Sequence, residues 1–220
     1  MKNNFFRNMM VFAIIALPLL YFYWIYSSLP DHIPVHFNFQ GKASGFTTKS
    51  HAWVIFSGMA LTSVLVYLIA KYIPRIDPKK SAGLSTGTYQ TIATIVVFFI
   101  SALSVLIIYS SAHQQVNTSF YIYPLIGILF TLLGNFMINI KPNYFVGIRV
   151  PWTLENEENW RVTHRFGGKL WVAGGLLITL ASLLLPLEIN AILFPIGVCI
   201  LAFVPIIYSF AYFKMHQKHP

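Results

Sequence analysis

SAGLSTGTYQTIATIVVFFISALSVLIIYSSAHQQVNTSFYIYPLIGILFTLLGNFMINI, residues 81–140, holds no Asp, Glu, Lys or Arg in 60 positions. About 20 apolar residues at 1.5 Å rise cross the hydrocarbon core of a bilayer. The stretch is therefore long enough for two crossings. A polar break, HQQVNTS at 113–119, divides it into a span over 89–111 and a span over 120–140. Lipid offers backbone groups no hydrogen-bond partners, so both spans are expected to be helical.

Further apolar runs lie outward from this stretch, at 9–29, 52–72, 170–187 and 189–213. The first follows Lys2 and Arg7, as in a secretory signal peptide. It is longer, rich in Tyr, Phe and Trp, and lacks an Ala-x-Ala cleavage pattern, which predicts a retained helix. Pro186, Glu188 and Asn190 mark a tight turn between the last two runs. The expected fold is an all-α integral membrane protein, a six-transmembrane-helix bundle forming one membrane domain over 1–220. With 56% hydrophobic and 10% charged residues, a soluble globular chain is excluded. The lone Cys199 rules out an intrachain disulfide and reads as a small buried hydrophobe in the last span.

The net charge of +9 could suggest nucleic acid, but the basic residues sit in short loops beside apolar runs. Topology explains them without a direct nucleic-acid partner. Placing both termini in the cytoplasm puts 13 of the 15 basic residues inside, including Lys71, Arg75, Lys79 and Lys80 in the second loop. Only Lys42 and Lys49 fall outside. The positive-inside rule thus predicts an extracellular loop at 29–51 and a cytoplasmic loop at 141–169.

Small residues suggest how the spans pack. Gly127 and Gly134 in the fourth span, and Gly168, Gly175 and Ser182 through the fifth, recur every seven residues. Such stripes let backbones approach closely, so the fourth and fifth spans are expected to pair. Asn135 and Asn139 are expected to form interhelical hydrogen bonds, and Pro195 and Pro205 to bend the sixth span.

Two polar segments could carry function. In the outer one, Val35, Phe37 and Phe39 alternate with His36, Asn38 and Gln40, the period of a short strand. Gly41 and Gly45 bracket a turn, giving a hairpin-like loop. Its ligand-binding candidates are His36, Phe37, Asn38, Phe39, Gly41 and Phe46, with the phenylalanines as the apolar surface. His32 and His36 would suit a metal on a helix, but Pro34 lies between them and no acidic or cysteine ligand follows, so no metal site is assigned.

The inner segment, KPNYFVGIRVPWTLENEENWRVTHRFGGK at 141–169, contains five basic and three acidic residues. Gly147 and Pro151 argue against a continuous helix at its start. Thr153 is expected to cap a helix with Glu155, Glu157 and Glu158 in its first turn. Glu157 and Arg161 can pair, with Trp160 and His164 on the same face. Trp152 and Trp160 suit a helix at the headgroup level. For any one charged residue, a solvated place on such a helix is simpler than a specific role. An enzyme reading would use Glu157 and His164 as an acid–base pair with Arg149, Arg161 and Arg165 holding an anion. The segment lacks a His-Glu-x-x-His motif, a phosphate-cradling Gly loop and a Ser or Cys nucleophile. No catalytic residue or cofactor is assigned. A small transporter is the other alternative, although the six spans, apart from Lys71 at the edge of the second, contain no Asp, Glu, Lys or Arg to mark a coupled pathway.

Two passages together resemble a known family. LPDHIPVHFNFQGKASGF, residues 29–46, is similar to a short N-terminal domain with a Leu-Pro-Asp-x-Ile-Pro-x-His-Phe core. NYFVGIRVPWTLENEENWRVTHRFGGKL, residues 143–170, resembles the signature of the sporulation-delaying-protein immunity family. That motif falls on Asn143, Gly147, Arg149, Pro151, Trp152, Thr153, Glu158, Trp160, Thr163, His164, Arg165 and Gly168. The resemblance implies a multi-pass protein of the bacterial plasma membrane that protects against a secreted peptide toxin. It also implies a second act in some members, in which a small helix-turn-helix repressor is held at the membrane. The toxin would meet the outer loop or the bundle. An anionic or mixed-charge repressor would meet the motif residues of the inner loop, with Arg149, Arg161, Arg165 and Lys169 complementing it. The resemblance supplies no catalytic residue.

Overall fold

The computed structural model describes residues 2–76, 86–113 and 116–216. Helix α1 (Lys2–Ile25) passes through a single 3-10 turn into a hairpin of β1 (His32–Phe37) and β2 (Ala43–Thr48). Five long helices and one short one follow: α2 (Lys49–Ile76), α3 (Thr86–Ala112), α4 (Ser119–Met137), α5 (Pro151–Glu155), α6 (Glu157–Leu184) and α7 (Leu187–His216), of which α5 is the short one. Six helices, all but α5, are long and apolar enough to cross a membrane. The fifth and sixth expected spans correspond to α6 and α7. The hairpin is the one that the strand period of the outer loop predicts, set in an otherwise helical fold. Lys71 and Arg75 lie in the last turns of α2 rather than in a loop. Asp77, Lys79, Lys80, Gln114, Gln115 and Lys218 lie outside the described residues.

The outer surface is that of a protein solvated by lipid. Trp24 and Leu184 are more than three-quarters exposed, while small and polar residues such as Ser63, Ser104 and Ser182 are buried. Hydrophobic burial therefore does not hold these helices together; close packing and hydrogen bonds do. Ser101 Oγ of α3 donates to Ile14 O of α1 at 2.6 Å, and Tyr67 Oη of α2 donates to Asn8 Oδ1 of α1 at 2.8 Å. Val11, Tyr67, Ala93 and Val97 fill the space between these three helices.

The second half packs differently. Gly134 meets Gly168, and Gly127 meets Gly175, along the α4–α6 seam, as the seven-residue stripes predict. A Cβ on Gly134 would lie 2.8 Å from Gly168 O, and one on Gly127 would lie 2.7 Å from Gly175 O. Any side chain there would push the helices apart. Asn135 on α4 and Asn139 in the turn after it are exposed and so do not supply the expected interhelical bonds. Cys199 is exposed on α7 rather than buried. Asn190 Nδ2 donates to Ala181 O and Leu185 O, at 3.1 and 2.9 Å, and closes the α6–α7 turn. Pro195 and Pro205 are both within α7.

The hairpin caps the opposite end of the bundle from the signature segment. Its turn is 38–42, where Asn38 Oδ1 accepts from Gln40 N and Lys42 N at 3.1 and 2.9 Å and Gly41 takes φ +75°. Gly45 lies inside β2, not in the turn. The strand alternation is also imperfect. A register shift between Pro34 and His36 leaves Ile33 and Pro34 both buried.

Candidate functional site

The signature segment begins where α4 ends. Asn143 is fully buried and folds the chain back on itself. Its Oδ1 accepts from Phe145 N and Val146 N at 2.9 and 2.7 Å, and its Nδ2 donates to Lys141 O and Val146 O at 2.9 Å each. An Asx side chain satisfying local backbone is the usual way to close such a turn. Gly147 follows at φ +120°, and a Cβ there would overlap the His164 ring. Glycine is required twice over, by conformation and by space.

His164 is the clasp of the segment. Its Nε2 accepts the Ile148 N–H at 2.9 Å, and its Nδ1 donates to Trp160 O at 2.8 Å. Both ring nitrogens are engaged, and the proton sits on Nδ1. The ring stacks on Trp160 at 3.9 Å between centroids, and Trp160 Nε1 donates to Ile140 O at 2.8 Å. One histidine and one tryptophan of α6 thus hold both ends of the loop. Thr153 Oγ1 lies 2.8 Å from Ile148 O and accepts from Val150 N at 3.2 Å, fixing the entry to α5.

The helix boundary differs from the expected one. Thr153 lies inside α5, and Asn156 is the cap of α6, its side chain accepting from Asn159 N at 2.8 Å. Asn is among the best N-cap residues, so the signal was present in the sequence. Helix α6 then runs without a break for 28 residues, about 42 Å at 1.5 Å per residue. That exceeds the ~30 Å hydrocarbon core, so its first turns stand clear of it. The expected flat interfacial helix is therefore the beginning of a membrane-crossing one, and Trp160 is buried in protein rather than lying among headgroups.

The charged residues separate from this clasp. Glu157 is exposed and does not pair with Arg161; Arg161 instead donates to Glu158, at 2.9 Å from Nε and 2.5 Å from Nη2. Trp160 and His164 are buried, while Arg161 and Arg165 point outward. The acid–base pair of Glu157 and His164 does not form, because His164 uses both nitrogens on backbone groups. Arg149 is exposed and donates to Tyr144 O at 2.7 Å. Among the described residues, the Glu158–Arg161 pair is the only salt bridge, leaving Arg149, Arg165 and Lys169 without a carboxylate.

Of the motif residues, Asn143, Thr153, Trp160, Thr163, His164 and Gly168 are buried, Gly147 and Trp152 are half-buried, and Arg149, Pro151, Glu158 and Arg165 are exposed. Two residues outside the motif complete the arrangement. Asn159, fully buried, accepts from Thr163 Oγ1 at 2.9 Å and donates to Ser209 O of α7 at 3.1 Å. Ser209 Oγ also accepts from Trp152 Nε1 at 2.9 Å. The link from α6 to α7 spans 50 positions in sequence, and no local pattern announces it.

At the other end, Phe39 and Phe46 are 58% and 60% exposed and Phe37 is half-buried. His36 and Asn38 are exposed, and Gly41 is buried in the turn. The hairpin tip is tied down by α4 and the residues before it. Tyr123 Oη and Ser119 Oγ donate to Phe39 O, and Asn117 Nδ2 donates to Gln40 O at 3.1 Å.

Fold and site define a six-span integral membrane protein with a rigid, cation-bearing loop at one end and an apolar hairpin at the other. Residues 139–209 match the model described as SdpI/YfhL protein family. Residues 13–61 match a domain of unknown function, DUF1648, which here comprises most of α1, the hairpin and the first half of α2. Immunity protein SdpI of Bacillus subtilis (strain 168) is 28% identical over 178 residues, covering 80% of this chain and 81% of that protein. No solved structure matches. The chain is thus similar to the SdpI/YfhL protein family over its signature segment, as the motif resemblance implied, and is a multi-pass protein of the bacterial plasma membrane.

Proposed function

We propose that this chain is an immunity protein that protects its bacterium from a secreted peptide toxin. The observation that carries the reading is the similarity to Immunity protein SdpI over four-fifths of both chains. Both termini and the signature segment face the cytoplasm in this reading, supported by the sequence count, which assigns 13 of 15 basic residues to the segments on that side. The hairpin then faces outward, with Phe37, Phe39 and Phe46 as the apolar contact for the toxin and His36, Asn38 and Gly41 shaping the surface around them. At the cytoplasmic end, Arg149, Arg161, Arg165 and Lys169 form a surface for an acidic or mixed-charge protein such as a small repressor. The buried motif residues act by holding that surface in place.

The test is survival of a toxin-sensitive strain expressing this protein and challenged with the peptide toxin. Protection with intact peptide left in the medium supports immunity. Absence of protection at normal membrane levels overturns it. Orientation is checked separately, by labelling single-cysteine variants of Lys42 and Arg165 in a Cys199→Ser background. An impermeant reagent on intact cells reaches position 42 and not position 165 if the assignment holds.

A further inference from the structure

A cavity of about 720 Å³ lies at the signature end in the seam between the two halves of the bundle. Val66 and Ala70 of α2, Ala93 and Val96 of α3, and Met137 of α4 form apolar walls, and residues 145–150 close one side. Exposed Ile69 and Ala202 also line it, so it communicates with the outside of the bundle. Arg149 is its one charged lining residue. One donor of its guanidinium is committed to Tyr144 O, leaving others of the five free. A lateral apolar cavity with a cation at its edge is complementary to one kind of amphiphile, an acyl chain bearing an anion.

We propose that this cavity binds an anionic phospholipid, with one acyl chain in the seam and the phosphate on Arg149. The bilayer supplies the occupant at high local concentration. Basic pockets between membrane helices are a common form of headgroup recognition. Nearby charge favours the same ligand. Arg165 and Lys169 stand on the exposed side of α6 and Lys71 and Arg75 on α2, with Glu158 already paired to Arg161. The cavity volume is within the ~300–1,000 Å³ typical of small-ligand sites. Because residues 145–150 form a wall, a bound chain would also brace the signature loop. This inference does not rest on the immunity reading.

The experiment is native mass spectrometry of the full chain, released from detergent after equilibration with phosphatidylglycerol or phosphatidylcholine of matched chains. The wild type is expected to retain phosphatidylglycerol about tenfold better, the factor supplied by a single charge-assisted contact. Arg149→Gln should bring the two lipids level, while Arg149→Lys keeps part of the preference. Filling the cavity with Val66→Phe and Ala202→Phe should lower retention of both lipids. Thermal unfolding identifies any variant that has lost its fold, and the Arg149 series decides the matter if the filled variant has. Equal retention of both lipids by the wild type overturns the proposal. So does displacement of phosphatidylglycerol by inorganic phosphate, which would show an anion site without a chain.

Discussion

The signature segment and the hairpin are both polar insertions between apolar spans, but they are built in opposite ways. In the signature segment the distinctive side chains turn inward. Asn143, Thr153, Trp160 and His164 each bond to backbone groups, so the loop is held from within while its charged side chains face out. In the hairpin the distinctive side chains turn outward. Phe39 and Phe46 are exposed, and the backbone of the tip is held from outside by Tyr123, Ser119 and Asn117. Mutational sensitivity should therefore separate by region: stability in the signature segment, ligand response in the hairpin.

The sharpest test is Trp160→Ala. It removes a fully buried ring and its hydrogen bond to Ile140 O, and large aromatic deletions of this kind cost about 3–5 kcal/mol. A large fall in the thermal unfolding midpoint of the purified protein is expected. An unchanged midpoint would show that the clasp does not hold the loop. Gly147→Ala comes next. Its φ of +120° and the ring of His164 both oppose a Cβ, predicting a loss of about 2–3 kcal/mol, read by the same measurement.

Thr153→Val keeps the shape and deletes the bond to Ile148 O. It should cost about 1–2 kcal/mol and raise protease sensitivity at 145–150 before affecting the helices. The smallest stability effects belong to exposed residues. Arg165→Gln and Phe39→Ala should each change stability by less than about 0.5 kcal/mol. Phe39→Ala should nevertheless reduce protection in the survival assay. If Phe39→Ala unfolds the protein while leaving protection intact in what remains, the contrast between the two ends collapses.

Much of the architecture was legible because membrane physics is written locally. Six apolar runs, each long enough to cross hydrocarbon, specify six helices almost independently of one another. The α4–α6 pairing was legible too, since a seven-residue stripe of small residues has few uses other than close approach. The motif residues could be located, but not their directions. Reading Glu157, Arg161, Trp160 and His164 as one face missed the inward turn of the last two. Asn135 and Asn139 were expected inside and stand outside, because helix period alone does not say which face meets lipid.

The sequence by itself determined the number of spans, the segments between them and the family motif. Each depends on runs of residues whose chemistry acts within a few turns. Tertiary structure alone decided that His164 is a backbone clasp, that Asn159 reaches Ser209 on another helix, and that an apolar cavity with Arg149 at its edge lies between the halves. Those features arise where elements distant in the chain come together. A side chain's partners there are set by packing, which the local pattern does not encode.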